Sequence, residues 1–228
     1  MIKPDFNNFI ISENNKKAFE ACCDFVRDNQ KGNILSLYGP WACGKTHLIS
    51  AIKSSLEEQY PDKKINNLQY FKVSELLTAQ YLELYYDTFS NSDLLIIDDL
   101  HLVKCKGFFQ EIFAEIANNV LKNGGKVVVA FECPIINLKV FFDNIRFASL
   151  NQIVEIKYPD INLMREFIKI NQKEYNIKLS KNEEDKIIRS RWLGVLRWFS
   201  DISWERTKQE LIAHLDKYLK KDSNYSDE

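Results

Sequence analysis

The segment GPWACGKTHL at residues 39–48 most constrains what this chain can fold into. It stands between an apolar, strand-like run at 34–38 and a helical pattern at 45–59. Glycines let such a loop curl until several backbone N–H groups point into one concavity, and the helix behind it adds its own free N–H groups. The segment therefore predicts a phosphate-binding loop, with Lys45 on the β- and γ-phosphates and the Thr46 hydroxyl on Mg²⁺.

The candidate nucleotide contacts comprise the loop and the first residues of the helix behind it: Gly39, Pro40, Trp41, Ala42, Cys43, Gly44, Lys45, Thr46 and His47. The alternative is a glycine turn at the start of a helix. A strand before the motif and a helix after it favour the phosphate-binding interpretation.

Composition narrows the class of protein. The net charge of −1 provides no overall basic field to draw the chain to nucleic acid, so any DNA contact is expected to be weak or to come through a partner. The sequence has neither a signal peptide nor an apolar run of about 18 residues, so we expect no membrane association. The five cysteines are odd in number and lack metal-ligand spacing, which indicates reduced thiols in the cytoplasm.

Strand-like and helix-like patterns alternate along most of the chain. Strands are predicted at 34–38, 68–73, 94–98, 126–131 and 152–156, with helices at 15–27, 45–59 and 107–122. This alternation predicts an α/β fold, a five-stranded parallel sheet flanked by helices.

The pattern becomes all-helical after Pro159. Asp160 is placed to cap a helix over 161–174, and Ser180 with Glu183 forms a capping box for the next helix. A third helix is expected at 194–219. We therefore expect an α/β core at 1–158, a small helical lid at 159–220 and a polar tail at 221–228.

A second motif, LLIIDD, ends a predicted strand with two acids. Asp98 at the carboxyl end of that strand can hold Mg²⁺ opposite Thr46. Asp99 can orient or deprotonate an attacking water, although it is one methylene shorter than the usual glutamate. The alternative is a pair of capping aspartates in a loop.

These motifs together resemble the AAA+ ATPase domain of the bacterial replication initiator DnaA, and especially its short Hda-type relatives. The resembling stretches are FNNFIISENNKKA, LYGPWACGKTHLISAI, LLIIDDLHLV and FFQEIFAEI. The resemblance implies a P-loop NTPase of the AAA+ class that holds ATP or ADP with Mg²⁺ between its core and its lid.

Further roles come only from this resemblance. It implies an adenine pocket that includes Phe9 and Ile10, for which core packing is the alternative. It implies a "sensor 1" role for Glu132 and a "sensor 2" role for Arg197 in the lid. Arg146, in FDNIRFASL, corresponds to an arginine that reaches the γ-phosphate of a neighbouring subunit; a surface salt bridge is the alternative.

The absence of flanking interaction and DNA-reading domains favours the Hda-type regulator, which promotes hydrolysis of ATP bound to DnaA. The expected partner is therefore DnaA. Docking to the DNA polymerase sliding clamp is possible in that class, but the glutamine-led docking motif is not seen. Homo-oligomers are a further possibility.

Four alternatives stay open: a DnaA-like initiation factor, a helicase-loader ATPase acting with DNA, a metabolic kinase and a nucleotide-binding scaffold without hydrolysis. A loader would carry a basic, aromatic strip, which is not visible. A kinase would carry an arginine-rich lid, whereas here only seven arginines stand beside 24 lysines (31 basic residues in all).

Overall fold

The computed structural model describes most of the chain, and everything below refers to these residues: 4–27, 33–69, 86–103, 107–132, 134–146, 151–174 and 178–190. The helices are α1 (Lys16–Arg27), α2 (Lys45–Gln59), α3 (Gly107–Lys122), α4 (Lys139–Asp143), α5 (Ile161–Glu174) and α6 (Lys181–Ser190). Two 3₁₀ turns are η1 (Leu100–Val103) and η2 (Ile135–Leu138). The strands are β1 (Ile34–Tyr38), β2 (Ile65–Gln69), β3 (Leu94–Asp98), β4 (Lys126–Phe131) and β5 (Asn151–Glu155).

The five strands form one parallel sheet in the order β2-β3-β4-β1-β5. The predicted α/β fold with a five-stranded parallel sheet is therefore confirmed. Because β3, β4 and β1 are neighbours and run parallel, the residues that follow these three strands meet at the carboxyl ends of the sheet. The loop after β1 and the acids at the end of β3 thus come together there.

The second strand begins earlier than the sequence predicted. It was expected at 68–73, whereas β2 spans Ile65–Gln69 and residues 70–73 lie outside the described part. The start of this strand was not recognised because INNLQ is largely polar. Polar side chains are tolerated there because β2 is an edge strand of the sheet. The Asn66 amide there donates to Ser92 Oγ at 2.9 Å.

Two apolar clusters cover the two faces of the sheet. Alternate residues of each buried strand supply them: Leu95 and Ile97 of β3 face the α3 cluster, and Leu94 and Ile96 face the α1–α2 cluster. β3 is buried along its whole length, as a strand covered on both faces requires. The packing of these buried strands fixes the positions of the residues at their carboxyl ends.

The chain divides into two compact units. One contains Pro4–Phe9 and Asn15–Lys157, and the other contains Ile10–Asn14 together with the described residues from Tyr158 onward. In the described part of the chain, every helix is too short or too polar to span a lipid bilayer.

The helices of the second unit begin at the predicted caps. The backbone N–H of Leu163 donates to Asp160 Oδ1 at 2.9 Å. Ser180 N donates to Glu183 Oε2 at 2.7 Å, and Glu183 N donates to Ser180 Oγ at 3.4 Å, which confirms the capping box. The third predicted helix, at 194–219, and the polar tail lie outside the described residues, so the extent of the lid stays a prediction.

Candidate phosphate-binding site

The loop between β1 and α2 turns by means of two residues with left-handed backbones. Ala42 has φ 60° and Gly44, which precedes α2, has φ 107°. Gly39 is required for a different reason, since a Cβ there would collide with the backbone oxygen of Ile156. The loop is thus curled tightly and pressed against the chain that follows β5.

Lys45 places its ammonium inside this curl. Its Nζ donates to Gly39 O and to Pro40 O, each at 2.8 Å, and lies 3.8 Å from Cys43 Sγ. The residue is only 7% exposed. The oxygens nearest to this buried positive charge are neutral carbonyls, and the Glu132 carboxylate lies further away at 3.9 Å, so the ammonium favours an anion as a further ligand.

Cys43 shares this environment. Burial raises the pKa of its thiol, and the nearby Lys45 ammonium opposes that rise in part. The thiol is therefore protonated at neutral pH and serves as a small apolar side chain in the loop.

Thr46 and Asp98 meet across the edge of the sheet. Thr46 Oγ1 donates to Asp98 Oδ2 at 3.4 Å. Burial raises the pKa of the Asp98 carboxyl, and the neighbouring charge of Asp99 raises it further, while hydrogen bonds from Asp99 N and Thr46 and the charge of Lys45 lower it. A hydroxyl and a buried carboxylate are oxygen ligands of the kind Mg²⁺ prefers, so the residues present fit this ion.

Asp99 has a strained backbone, with φ 55°. Its N–H donates to Asp98 Oδ1 at 2.9 Å, and its side chain is exposed. Asp98 is buried whereas Asp99 is exposed, so the two carboxylates lie in different environments. A left-handed non-glycine residue at such a place is a recognised sign of a functional constraint.

Glu132 follows β4 and lies between the two other strand ends. Its Oε2 is 3.9 Å from Lys45 Nζ, and its Oε1 is 3.6 Å from His101 Nε2. The structure therefore brings the predicted sensor 1 residue to the loop lysine. Sequence reasoning missed His101, although it stands two residues after the acidic pair.

Phe9 packs on the beginning of α2. Its ring is stacked on Phe19 with centroids 5.8 Å apart and meets the His47 ring edge-on at 5.1 Å. A Cβ at Gly44 would lie 3.0 Å from the Phe9 ring. His47 Nε2 in turn lies 2.9 Å from Asp5 O, so the opening segment is joined to the first turn of α2.

The remaining candidates are placed as follows. Ile10 is half-buried and falls in the other compact unit, and Trp41 is 56% exposed. Arg146 is exposed, and among the described contacts none joins it to the loop. Arg197 lies outside the described residues. The structure thus brings together Lys45, Thr46, Asp98 and Glu132.

Comparison with known proteins places this chain in a family. A model described as the bacterial DnaA ATPase domain matches residues 2–151. The chromosomal replication initiator protein DnaA of Ureaplasma parvum is 30% identical over 200 residues, which cover 82% of this chain and 43% of that protein. The chain thus spans about two fifths of the length of the curated relatives it matches.

Solved structures show the same fold. Domain III of the replication initiation protein DnaA from Thermotoga maritima superposes with a TM-score of 0.70 at 16% identity, covering 94% of this chain and 98% of that one. AMPPCP-bound DnaA from Aquifex aeolicus gives 0.66 at 18% identity, covering 96% and 72%. At these identities the likeness is one of fold.

Proposed function

Because the chain belongs to the bacterial DnaA ATPase-domain family, we propose that it binds ATP or ADP with Mg²⁺ and acts in the control of replication initiation. The observation that carries the proposal is the meeting of three groups at one sheet edge: the buried Lys45 ammonium, the Thr46 hydroxyl and the Asp98 carboxylate. A related protein has been solved with AMPPCP, an ATP analogue, which supports the choice of ligand.

Each of these groups has a definite part. Lys45 would exchange its bonds to the loop carbonyls for the β- and γ-phosphates, and the N–H groups at the start of α2 would surround the phosphate chain. Thr46 and Asp98 would hold the Mg²⁺, which supplies positive charge to the phosphate oxygens when bound. Asp99, on its strained backbone, is the candidate for orienting a water.

Calorimetric titration with ADP and with ATP in the presence of Mg²⁺ tests nucleotide binding. We expect both to bind, and Lys45→Ala to weaken both at least about tenfold, as loss of a charged hydrogen-bond donor implies. Lys53→Ala is the matched control, because Lys53 lies on the same helix but pairs with Glu57 at the surface at 3.6 Å. Absence of binding at millimolar nucleotide would refute the proposal.

The finer proposal concerns the partner. We propose that this chain acts in the manner of the Hda-type regulators, with Arg146 reaching the γ-phosphate of ATP held by a DnaA subunit. Three features support this: the side chain is exposed, its backbone is anchored by a hydrogen bond to Asn118, and no carboxylate among the described residues pairs with it. A guanidinium presented in this way can stabilise charge on a transferred phosphoryl group.

Mixing the protein with ATP-loaded DnaA, with and without sliding clamp on DNA, tests the finer proposal. We expect faster hydrolysis, and loss of most of that acceleration in Arg146→Ala. Arg165→Ala is the matched control, since Arg165 is an exposed arginine on α5. Equal acceleration by wild type and Arg146→Ala would refute the role of Arg146, whereas binding to a ring helicase in place of DnaA would favour the helicase-loader alternative.

A further inference from the structure

The Asn118 side chain on α3 bonds to the backbone on both sides of Ile145. Its Nδ2 donates to Asn144 O at 2.7 Å, and its Oδ1 accepts from Arg146 N at 2.8 Å. An amide that both donates to and accepts from one segment fixes the orientation of that segment as well as its distance. The backbone of Arg146 is therefore tied to α3 although its side chain is exposed.

A second amide makes the same two-way contact at the other end of this segment. Gln110 Nε2 donates to Asn137 O at 3.0 Å, and Gln110 Oε1 accepts from Phe141 N at 3.1 Å. Gln110 is 2% exposed and precedes Asn118 by about two turns of α3. The segment from Asn137 to Arg146 is thus held to α3 at both of its ends.

We propose that Asn118 is a positioning residue for Arg146. α3 follows the strand that ends in Asp98 and the turn η1, so this amide links Arg146 to the helix behind the acidic motif. A guanidinium on a long, flexible side chain reaches a phosphate more often when the backbone that carries the side chain is fixed. The inference rests on the proposed function, in which Arg146 acts on ATP held by a partner.

The chain offers a matched control in the adjacent residue. Asn119 Nδ2 donates to Tyr86 OH at 3.0 Å and to Ser90 Oγ at 3.3 Å, so it makes a similar number of bonds to another part of the same unit. Asn119→Ala therefore removes an amide network of the same helix without touching the Arg146 segment. Asn119→Ala therefore shows how the loss of two side-chain hydrogen bonds on α3 affects the protein when the Arg146 segment is intact.

Hydrogen–deuterium exchange measures the contact without any partner. Asn118→Ala should speed exchange at the Arg146 amide roughly fivefold, as expected for the loss of one hydrogen bond of ordinary strength. Asn118→Asp keeps the acceptor for this N–H and should retain more protection than Asn118→Ala. Asn119→Ala should leave the Arg146 amide unchanged. Equal exchange in wild type and Asn118→Ala would overturn the inference.

Stimulated hydrolysis measures the consequence. With ATP-loaded DnaA, Asn118→Ala should lower the maximal stimulation about tenfold and leave the half-saturating concentration within about twofold, because it misplaces Arg146 without removing the binding surface. In an Arg146→Ala background, Asn118→Ala should cause no further loss, since two residues that act as one unit are not additive.

Two results separate the failures. If Asn118→Ala lowers stimulation equally in the presence and absence of the Arg146 side chain, the amide acts through general stability and the positioning role is wrong. If Arg146→Ala itself keeps full stimulation, the finer proposed function fails. The exchange rate then still decides whether Asn118 holds the Arg146 backbone.

Discussion

Thr46 Oγ1 donates to Asp98 Oδ2 at 3.4 Å, although 52 residues separate the two in sequence. The first residue lies at the start of α2 and the second at the end of β3. These elements meet because the strands are parallel and only β4 separates β1 from β3, so the end of β3 lies within reach of the loop after β1. This one contact unites the loop motif with the acidic motif.

Thr46→Val should remove the magnesium-dependent part of nucleotide affinity. Valine keeps the shape of threonine but offers no oxygen to Mg²⁺, so we expect ADP to bind about tenfold more weakly with Mg²⁺ and nearly as well as wild type in EDTA. Titration calorimetry in both buffers gives the comparison. Ser50→Ala is the control, because the Ser50 hydroxyl donates to Thr46 O at 2.8 Å one turn further along. A loss that persists in EDTA would point to damage of the loop.

Asp98→Asn should stabilise the protein at neutral pH in the absence of nucleotide and metal. Folding raises the pKa of this carboxyl, chiefly by burial. Its ionisation therefore costs folding free energy, and stability falls as pH rises from the unfolded pKa through the raised folded one. Asparagine is neutral at every pH, so it avoids this cost.

Thermal unfolding in EDTA at neutral pH measures this effect. We expect Asp98→Asn to raise the Tm by about 2 °C, the shift of roughly 1 kcal/mol in a chain of this size, and to lose the magnesium effect on binding. Asp93→Asn is the control, because Asp93 lies just before the other end of β3. Its Oδ2 also accepts a backbone hydrogen bond, from Lys64 N at 2.8 Å, but it is not part of the site. A Tm for Asp98→Asn at or below that of wild type would contradict the expectation.

The sequence predicted the three central strands well because they are buried on both faces. ILSLY, LLIID and KVVVAF are continuous apolar runs, and their ends agree with β1, β3 and β4. The start of β2, one of the two edge strands, was predicted three residues too late because INNLQ carries no such pattern, whereas β5, the other edge strand, was predicted within one residue. Burial on both faces, and not local strand propensity, made the central strands recognisable in the sequence.

The site was predictable to the extent that its residues stand in one short motif. The loop and the acidic pair were read from adjacent residues, whereas His101 beside Glu132 and Asn118 beside Arg146 are contacts between separate elements. No spacing in a single sequence reveals such contacts, since they depend on how α3, η1 and β4 pack. The strained φ of Asp99 was equally hidden.

Phe9→Ala should destabilise the core unit and weaken nucleotide binding together. The ring supports the start of α2 through its contacts with His47 and with the Gly44 position. We expect a loss of about 2 kcal/mol in the free energy of unfolding, below the usual cost for a fully buried phenylalanine because Phe9 is only half-buried.

Urea unfolding and ADP titration of the same variants measure both effects. Phe6→Ala is the matched control: Phe6 meets Phe19 edge-on at 5.7 Å, as a neighbour in the same cluster. It should cost stability and leave ADP affinity near that of wild type. Equal loss of affinity in the two variants would show that general destabilisation, and not support of the loop, is responsible.

Gly44→Ala should disable the loop, and Gly124→Ala should not. Both glycines have a positive φ, 107° and 80°, so a Cβ adds backbone strain of about 1 kcal/mol at either position. At Gly124 nothing lies within 4 Å of that Cβ, whereas at Gly44 it would lie 3.0 Å from the Phe9 ring. The second substitution therefore isolates the strain, and the first adds displacement of Phe9 and of the loop N–H groups. We expect equilibrium unfolding to show a larger loss for Gly44→Ala, and calorimetry to show weakened ADP binding in that variant alone. Similar stability and similar affinity in the two variants would mean that the loop keeps its shape without glycine at position 44.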